Sequence, residues 1–434
     1  MKRLLLTLLA LTIPLNCFGA DLTRLLQLAF ENNPSLKEAR VKWKISEVER
    51  REAFTGYLPR VELSYSRNYL NAVPNYSFSI APGVPSTSFS LFNKSFYQFK
   101  VEALQPLFTG GRVSNAVNLK SNAAKAAFYA YKEQLNRVAY AVSRDYLNLL
   151  KANSMVEVAK ATLNAARAHY EVVKAFYDQQ IVARRDLLEA EVKVQEAKEL
   201  LTRAEGQREV VKEQLKNDLG VEKLPPVKGT LRFEPVEVPP KGKLLELALK
   251  ERPLLLALRY AERSADSAIK LAVSSFAPQL SLGISYQRTS QYPGISPFSS
   301  TAVAVSLNFP IFEGGRRFLE LEKAHLEKEK ARLSLKKGED AVRLQLCAAY
   351  SRYETALARV KTARKMVAQA RELLRDSRER YKEQVGTSTQ VVDAIAYLQK
   401  AKSSLVSAVA DYYQALAQLN YAVGKRLFNF GEDR

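Results

Sequence analysis

Two short stretches, PLFTGGR at 106–112 and PIFEGGR at 310–316, set a glycine pair just ahead of a long helical pattern. Backbone amides at a helix start can cradle a phosphate, so nucleotide chemistry is the first reading to weigh. A phosphate loop also needs Lys and then Ser or Thr after its glycines. Here Arg112 and Arg316 follow instead. His169 and His325 stand singly on long helical segments, with no Ser, Asp or second His at a catalytic or metal-ligand spacing, and are read as surface residues. Past residue 20 the only cysteine is Cys347, which permits neither an intrachain disulfide nor a cysteine metal cluster. The sequence therefore supports no enzyme, no metal and no cofactor.

Ahead of all these residues, the chain opens with Lys2 and Arg3, an apolar run from Leu4 to Leu15 and small residues at Gly19 and Ala20. This is the layout of a cleaved secretory signal over 1–20. Pro14, Leu15 and Asn16 make a poor acylation box before Cys17, and acylation there stays open. No later stretch approaches the roughly 18 uncharged apolar residues of a membrane helix, so any membrane span must be a β-barrel. The net charge is +21, from 66 Lys and Arg against 45 Asp and Glu. Runs such as LEKEKARLSLKKGED alternate the two signs along a helix, which fits a solvated helix surface better than a nucleic-acid-binding arm.

The chain is internally duplicated. LLQLAFENNPSLKEAR from Leu25 matches LLELALKERPLLLALR from Leu244 at an offset of 219, which also carries Pro34 onto Pro253 and Pro59 onto Pro278. From Pro106 onward the offset is 204: Gly110 and Gly111 fall on Gly314 and Gly315, Tyr177 on Tyr381, and Gly220 on Gly424. The difference places a longer loop within 60–105. The first repeat runs 21–220 and the second 244–424. They are joined at 221–243 by an extended linker with five prolines, and a short tail covers 425–434.

Each repeat holds two segments of period two. Val61, Leu63 and Tyr65 alternate with Glu62, Ser64 and Ser66; Tyr97, Phe99 and Val101 alternate with Gln98, Lys100 and Glu102. The second repeat does the same at 279–286 and 302–309. About ten residues of alternation suits a tilted strand crossing a bilayer. A half-buried sheet of a soluble domain alternates in the same way. The hairpins are expected at 60–105 and 279–309, with Pro, Gly and Ser-rich loops at their turns. Four strands cannot close a membrane barrel, for which about eight is the minimum, so a spanning sheet must be shared between chains.

Helical hairpins are expected over 112–220 and 316–424, with tips near 180–186 and 384–389. Leu346, Ala349, Tyr353, Ala356, Val360, Ala363, Val367, Ala370, Leu374, Ser377 and Tyr381 follow spacings of three and four without a slip. The first repeat matches from Leu149 to Tyr177, and the seams resume as Leu187, Ala190, Val194 and as Val391, Ala394, Leu398. These are heptad seams in which alanine permits close approach.

The junctions QPLFTGGR and FPIFEGGR, the tip YKEQVGTSTQVVDA and the closing LNYAVGK, together with the duplication, make the chain resemble the TolC-like trimeric outer-membrane efflux channels over essentially its whole mature length. The resemblance implies a mixed α/β membrane protein: a homotrimeric twelve-stranded barrel in outer-membrane lipid, four strands per chain, continued by a coiled-coil helical tunnel into the periplasm of a Gram-negative cell. Such a protein is the exit duct of a tripartite efflux or type I secretion system, met by a periplasmic adaptor and an inner-membrane pump. It also implies that the hairpin tips touch the adaptor: Val385, Gly386 and Thr387 in the second repeat, and Ile181, Val182 and Ala183, with Arg184 and Arg185 beside them, in the first, which lacks the glycine. Relatives line the periplasmic aperture with carboxylates, at positions corresponding here to Asp393 and to Gln390. Pro106, Gly110, Gly111, Pro310, Gly314 and Gly315 become the hinge from strand to helix, with proline ending the strand ladder. A periplasmic coiled-coil adaptor is the alternative function, though it leaves the two apolar-faced strand hairpins unexplained.

Overall fold

The computed structural model describes residues 21–83 and 85–428; the signal segment with Cys17 and the end of the C-terminal tail lie outside them. The described elements run in order α1 (Leu22–Asn32), α2 (Pro34–Phe54), β1 (Arg60–Tyr69), β2 (Asn75–Phe78), β3 (Thr87–Ser90), β4 (Ser95–Phe108), α3 (Arg112–Asp178), α4 (Arg184–Leu219), α5 (Lys241–Glu251), α6 (Pro253–Ser274), β5 (Gln279–Thr289), β6 (Phe298–Asn308), α7 (Arg316–Lys382) and α8 (Ser388–Val423). At 67 residues each, α3 and α7 are about 100 Å long. No helix among the described residues is long and apolar enough to cross a membrane.

The chain divides into two compact units. One comprises Val41–Tyr129 and Leu256–Lys337 and contains a four-stranded antiparallel sheet in the order β1-β4-β5-β6. Its register puts Val61 opposite Ala103, Val101 opposite Tyr286 and Ile284 opposite Val303, so all four apolar faces coincide. The sheet corrects the expected end of β4. Pairing with β5 continues through Pro106 to Phe108, across a register shift, whereas β1 pairs only as far as Leu104. Proline removes a donor that the departed β1 no longer needs, so it sits in β4 at an irregularity. A second addition is the small sheet β2-β3, which forms within the longer loop of the first repeat.

In the same unit the helices lie in a matching lateral order. Lys120 of α3 bonds Glu49 of α2 at 2.9 Å, Ser264 of α6 donates to Leu119 O of α3 at 3.1 Å, and Lys328 of α7 bonds Asp266 of α6 at 2.7 Å. The outermost helices present exposed apolar stripes: Val41, Ile45 and Val48 on α2, and Leu319, Leu326 and Leu333 on α7.

The other unit holds residues up to Arg40, 130–255 and from 338 on. In it the seams pack as antiparallel hairpins: Leu163 and Ala166 of α3 meet Val194 and Ala197 of α4, and Val367 and Ala370 of α7 meet Ala401 of α8. Beyond the bond from Arg232 N to Thr230 O, tyrosines of the helices satisfy backbone groups of the proline-rich linker. Tyr412 Oη accepts from Val236 N at 2.8 Å, Tyr413 Oη donates to Arg232 O at 2.7 Å, and Tyr146 Oη donates to Lys228 O at 3.0 Å.

The duplication is visible atom by atom. Asn33, at the break between α1 and α2, donates to Asp218 O at 2.8 Å; its repeat mate Arg252, between α5 and α6, donates to the matching Ala422 O at 3.2 Å. Arg252 is fully buried and reaches further, to Gln345 Oε1 at 2.8 Å and Glu133 Oε1 at 3.3 Å, and lies over the Tyr421 ring. Glu133 Oε2 and Arg252 Nε have no hydrogen-bond partner among the described residues.

Candidate functional site

The two hairpin tips share one backbone geometry. At the second, Gln384 takes a left-handed φ of 62°, and Gln384 N and Val385 N bond Tyr381 O and Arg380 O at 3.1 and 2.9 Å. At the first, Gln180 has φ 58°, with Gln180 N and Ile181 N on Tyr177 O and Phe176 O at 2.8 and 2.9 Å. This paired closure of a helix C-terminus usually takes glycine at the left-handed position; glutamine fills it in both repeats. Gly386 needs no left-handed backbone, but its N adds a third bond, to Arg380 O at 3.0 Å, and a Cβ there would lie 3.1 Å from Arg380 Cβ; the first tip, without the glycine, keeps only the paired closure. The helix starts just past the two turns differ. Thr387 caps α8, accepting from Gln390 N at 3.3 Å while Gln390 Oε1 accepts from Thr387 N at 3.1 Å. Ala183 starts α4 with no side-chain cap. Val182 is half-buried, and Arg184 and Arg185 are exposed without an ion pair among the described residues.

Gln390 is thus held by its own helix start, whereas Asp393 is exposed one turn on. Asp393 lines a groove of about 340 Å³ with His169, Lys193, Glu196, Arg203 and Gln399. Beside it the tips pack together: Val173 and Ala190 of the first hairpin with Leu374, Tyr381, Val391, Ala394 and Ile395 of the second.

His169 is not the surface residue expected from its isolation in the sequence. It is 6% exposed, packs edge-on against Tyr381 with ring centres 5.2 Å apart, and its Nε2 lies 2.9 Å from Ser388 Oγ. The residue thereby joins α3 to the start of α8. Only its position next to seam residue Tyr170 hinted at this. Cys347, by contrast, is exposed, with Lys241 Nζ 3.1 Å from its sulfur.

Burial, and then the charge of Arg378, hold the His169 imidazole down to about 4. An unfolded imidazole takes its proton near 6.5. The folded state therefore loses stability as pH falls from about 6.5 towards 4, and no further below that. Between pH 7 and 4.5 the unfolding midpoint should fall further in the wild type than in His169→Gln, by the equivalent of no more than about 3 kcal/mol. Asp218, raised to about 6 by burial and Asp145, has the opposite trend but is common to both proteins. Identical pH dependence in the two would remove His169 as the cause.

At the strand-to-helix junctions, Gly110 and Gly111 have φ 60° and 84°, and Gly314 and Gly315 have 60° and 82°. Both pairs thus make the same left-handed turn, which glycine adopts without steric cost. Their surroundings differ. A Cβ on Gly110 would lie 2.2 Å from Ala277 Cβ, at the α6–β5 connection; one on Gly314 would meet nothing within 4 Å. Ile311 and Phe312 beside it are each 85% exposed.

The polar face of the sheet collects charges that the alternation alone did not bring together. Glu62 lies opposite Glu102, and Lys100 bonds Glu102 at 2.6 Å. Among the described residues no group of three or more His, Cys, Asp or Glu could hold a metal.

A model of the outer membrane efflux protein family matches residues 25–221 and 244–425, that is, both repeats without the linker. No curated protein sequence matches the chain. Among solved structures, it is similar to a membrane protein from Pseudomonas aeruginosa at 21% identity, covering 94% of this chain and 91% of that one, with a TM-score of 0.80. The outer membrane protein VceC of Vibrio cholerae is similar at 17% identity over 93% and 96%, TM-score 0.76. The open-state MtrE outer membrane channel of Neisseria gonorrhoeae is similar at 21% identity over 94% and 89%, TM-score 0.76.

Proposed function

Since the chain belongs to the outer membrane efflux protein family, and is an outer-membrane channel extending into the periplasm rather than an enzyme or an adaptor, we propose that three copies close head to tail into one duct. The observation that carries this is a symmetry left unfulfilled within one chain. Gly110 is packed by Ala277, and the repeat mate of Ala277 is Leu58, which is 53% exposed. Gly314, the mate of Gly110, faces open space. Leu58 of the next copy is the residue that repeat symmetry brings to Gly314. The same head-to-tail step pairs the free edge of β6 with that of β1, and the α7 stripe with the α2 stripe, and such an interface forms a closed ring when its rotation closes. Three copies give twelve strands, comfortably above the minimum for a membrane barrel.

With Cys347→Ser as background, oxidation of a Leu58→Cys/Phe312→Cys variant is expected to give covalent trimers. A product that stays monomeric overturns this closure. In the assembled duct the tips at Ile181, Val182, Ala183, Arg184 and Arg185 and at Val385, Gly386 and Thr387 meet a periplasmic adaptor, which links the channel to an inner-membrane pump. Three Asp393 carboxylates then narrow the periplasmic entrance and favour cations, while Gln390, engaged in its cap, contributes little. Asp393→Ala should raise single-channel conductance in planar bilayers and reduce cation preference. If both stay unchanged, Asp393 is not at the aperture.

A further inference from the structure

The apolar face of the barrel strands carries two exceptions, Arg67 on β1 and Arg288 on β5. Both have the parity of the lipid-facing residues: Arg67 follows Val61, Leu63 and Tyr65 at even spacing, and Arg288 follows Ile284 and Tyr286. Both are exposed and lie within three residues of the strand end remote from the helical junctions, the end that reaches the outer leaflet in the outer-membrane reading. The register sets Tyr65, Phe99 and Arg288 in one row and Arg67 and Tyr97 in the next. Two strand spacings, about 10 Å, therefore separate the arginines laterally. Between them on β4 lie the rings of Tyr97 and Phe99: Tyr97 stacks with Tyr65 and Phe99 meets Tyr286 edge-on, each with ring centres 6.5 Å apart, while the Arg67 guanidinium lies 5.5 Å from the Tyr69 ring centre towards the strand end.

Such rings mark the headgroup level of a membrane protein. A cation on a lipid face is costly at mid-bilayer and nearly neutral only close to the interface, so these positions are tolerable only where an anion or water is at hand. Among the described residues neither arginine has an ion pair, and from Asn68 to Asn93 and Thr289 to Phe312 the sequence has no charged residue at all. The two loops at this end therefore contain no carboxylate to neutralise them.

We infer that Arg67 and Arg288 form a docking site for the phosphate groups of a phosphorylated glycolipid in the outer leaflet. The guanidinium fork matches two phosphate oxygens at once, and the rings between the arginines rest against the sugar and the upper acyl chains. The site depends on the outer-membrane reading above.

The test uses the purified mature protein in mixed micelles containing bisphosphorylated lipid A, the same lipid with its phosphates removed, or millimolar inorganic phosphate alone. Lipid retention is read by native mass spectrometry. Arg67→Gln/Arg288→Gln should retain the phosphorylated lipid at least about tenfold more weakly than the wild type. Both proteins should hold the dephosphorylated lipid alike, and inorganic phosphate should raise the unfolding midpoint of neither. Equal retention of phosphorylated lipid overturns the site, and stabilisation of the wild type alone by inorganic phosphate assigns the arginines to a free anion instead. Planar-bilayer conductance separates the two levels: a variant that conducts normally is folded and inserted, so its lipid result speaks only to the arginines. A wild type that fails to insert and conduct overturns the channel reading and the site with it.

Discussion

Gly110→Ala is expected to lower the stability of the protein by about 3 kcal/mol, the sum of about 1–2 kcal/mol for a left-handed alanine and about 1–3 kcal/mol for overpacking. The second contribution arises because the added methyl would lie 2.2 Å from Ala277 Cβ and 3.1 Å from Ser274 O, so the α6–β5 connection has to shift. Gly314→Ala has the same left-handed φ but no neighbour within the chain. In dissociated protomers it should cost only the conformational part. If three copies close as proposed, it should cost as much in the assembled trimer as Gly110→Ala, because Leu58 of the next copy would then occupy the empty side. Denaturant unfolding of both variants, before and after dissociation, checks this. If Gly314→Ala is equally mild in both states, Gly314 does not lie at the subunit interface.

Arg252→Met is expected to be more damaging, by about 3–5 kcal/mol, since removing one member of a buried ion pair strands the other charge. Glu133 would be left at 5% exposure with neither oxygen bonded to a cation, and Ala422 O and Gln345 would lose a donor. Glu133→Leu alone should be comparably harmful, because the fully buried guanidinium would lose its only ion pair among the described residues. The double variant Arg252→Met/Glu133→Leu should recover most of the loss, as apolar replacements of whole buried pairs often do. Urea unfolding followed by circular dichroism gives the three values. If the two single losses simply add in the double variant, the pair is not coupled and the account of Arg252 fails.

Elements governed by a period were legible in the sequence. The heptad positions from Leu346 to Tyr381 are buried almost without exception, since a long seam repeats its signal many times. The strands of the four-stranded sheet were legible for the same reason. The β2-β3 sheet was not: each strand is four residues long, too short for alternation to stand out from a loop rich in Ser and Pro. Pro106 misled because its effect depends on which neighbour strand is still paired, a fact of register. His169 and Arg252 were hidden for a third reason. Each is buried where two hairpins or two repeats meet, and periodicity along one helix carries no information about a neighbour from a distant part of the chain. For Arg252 the signal was present in the duplication, at the position where Asn33 stands in the first repeat.

The tips differ in sequence yet close with the same pair of backbone bonds around Gln180 and Gln384. In the proposed three-chain ring the two turns of each chain give six nearly equivalent turns. A partner that contacts a single turn weakly, but presents several copies of its own docking element on a matching ring, gains avidity from each further contact as an intramolecular event. Grip on the channel can then be firm while every individual contact remains easy to release, and a substitution in one turn, which changes three of the six contacts at once, weakens the whole ring far more than the affinity of a single turn would suggest.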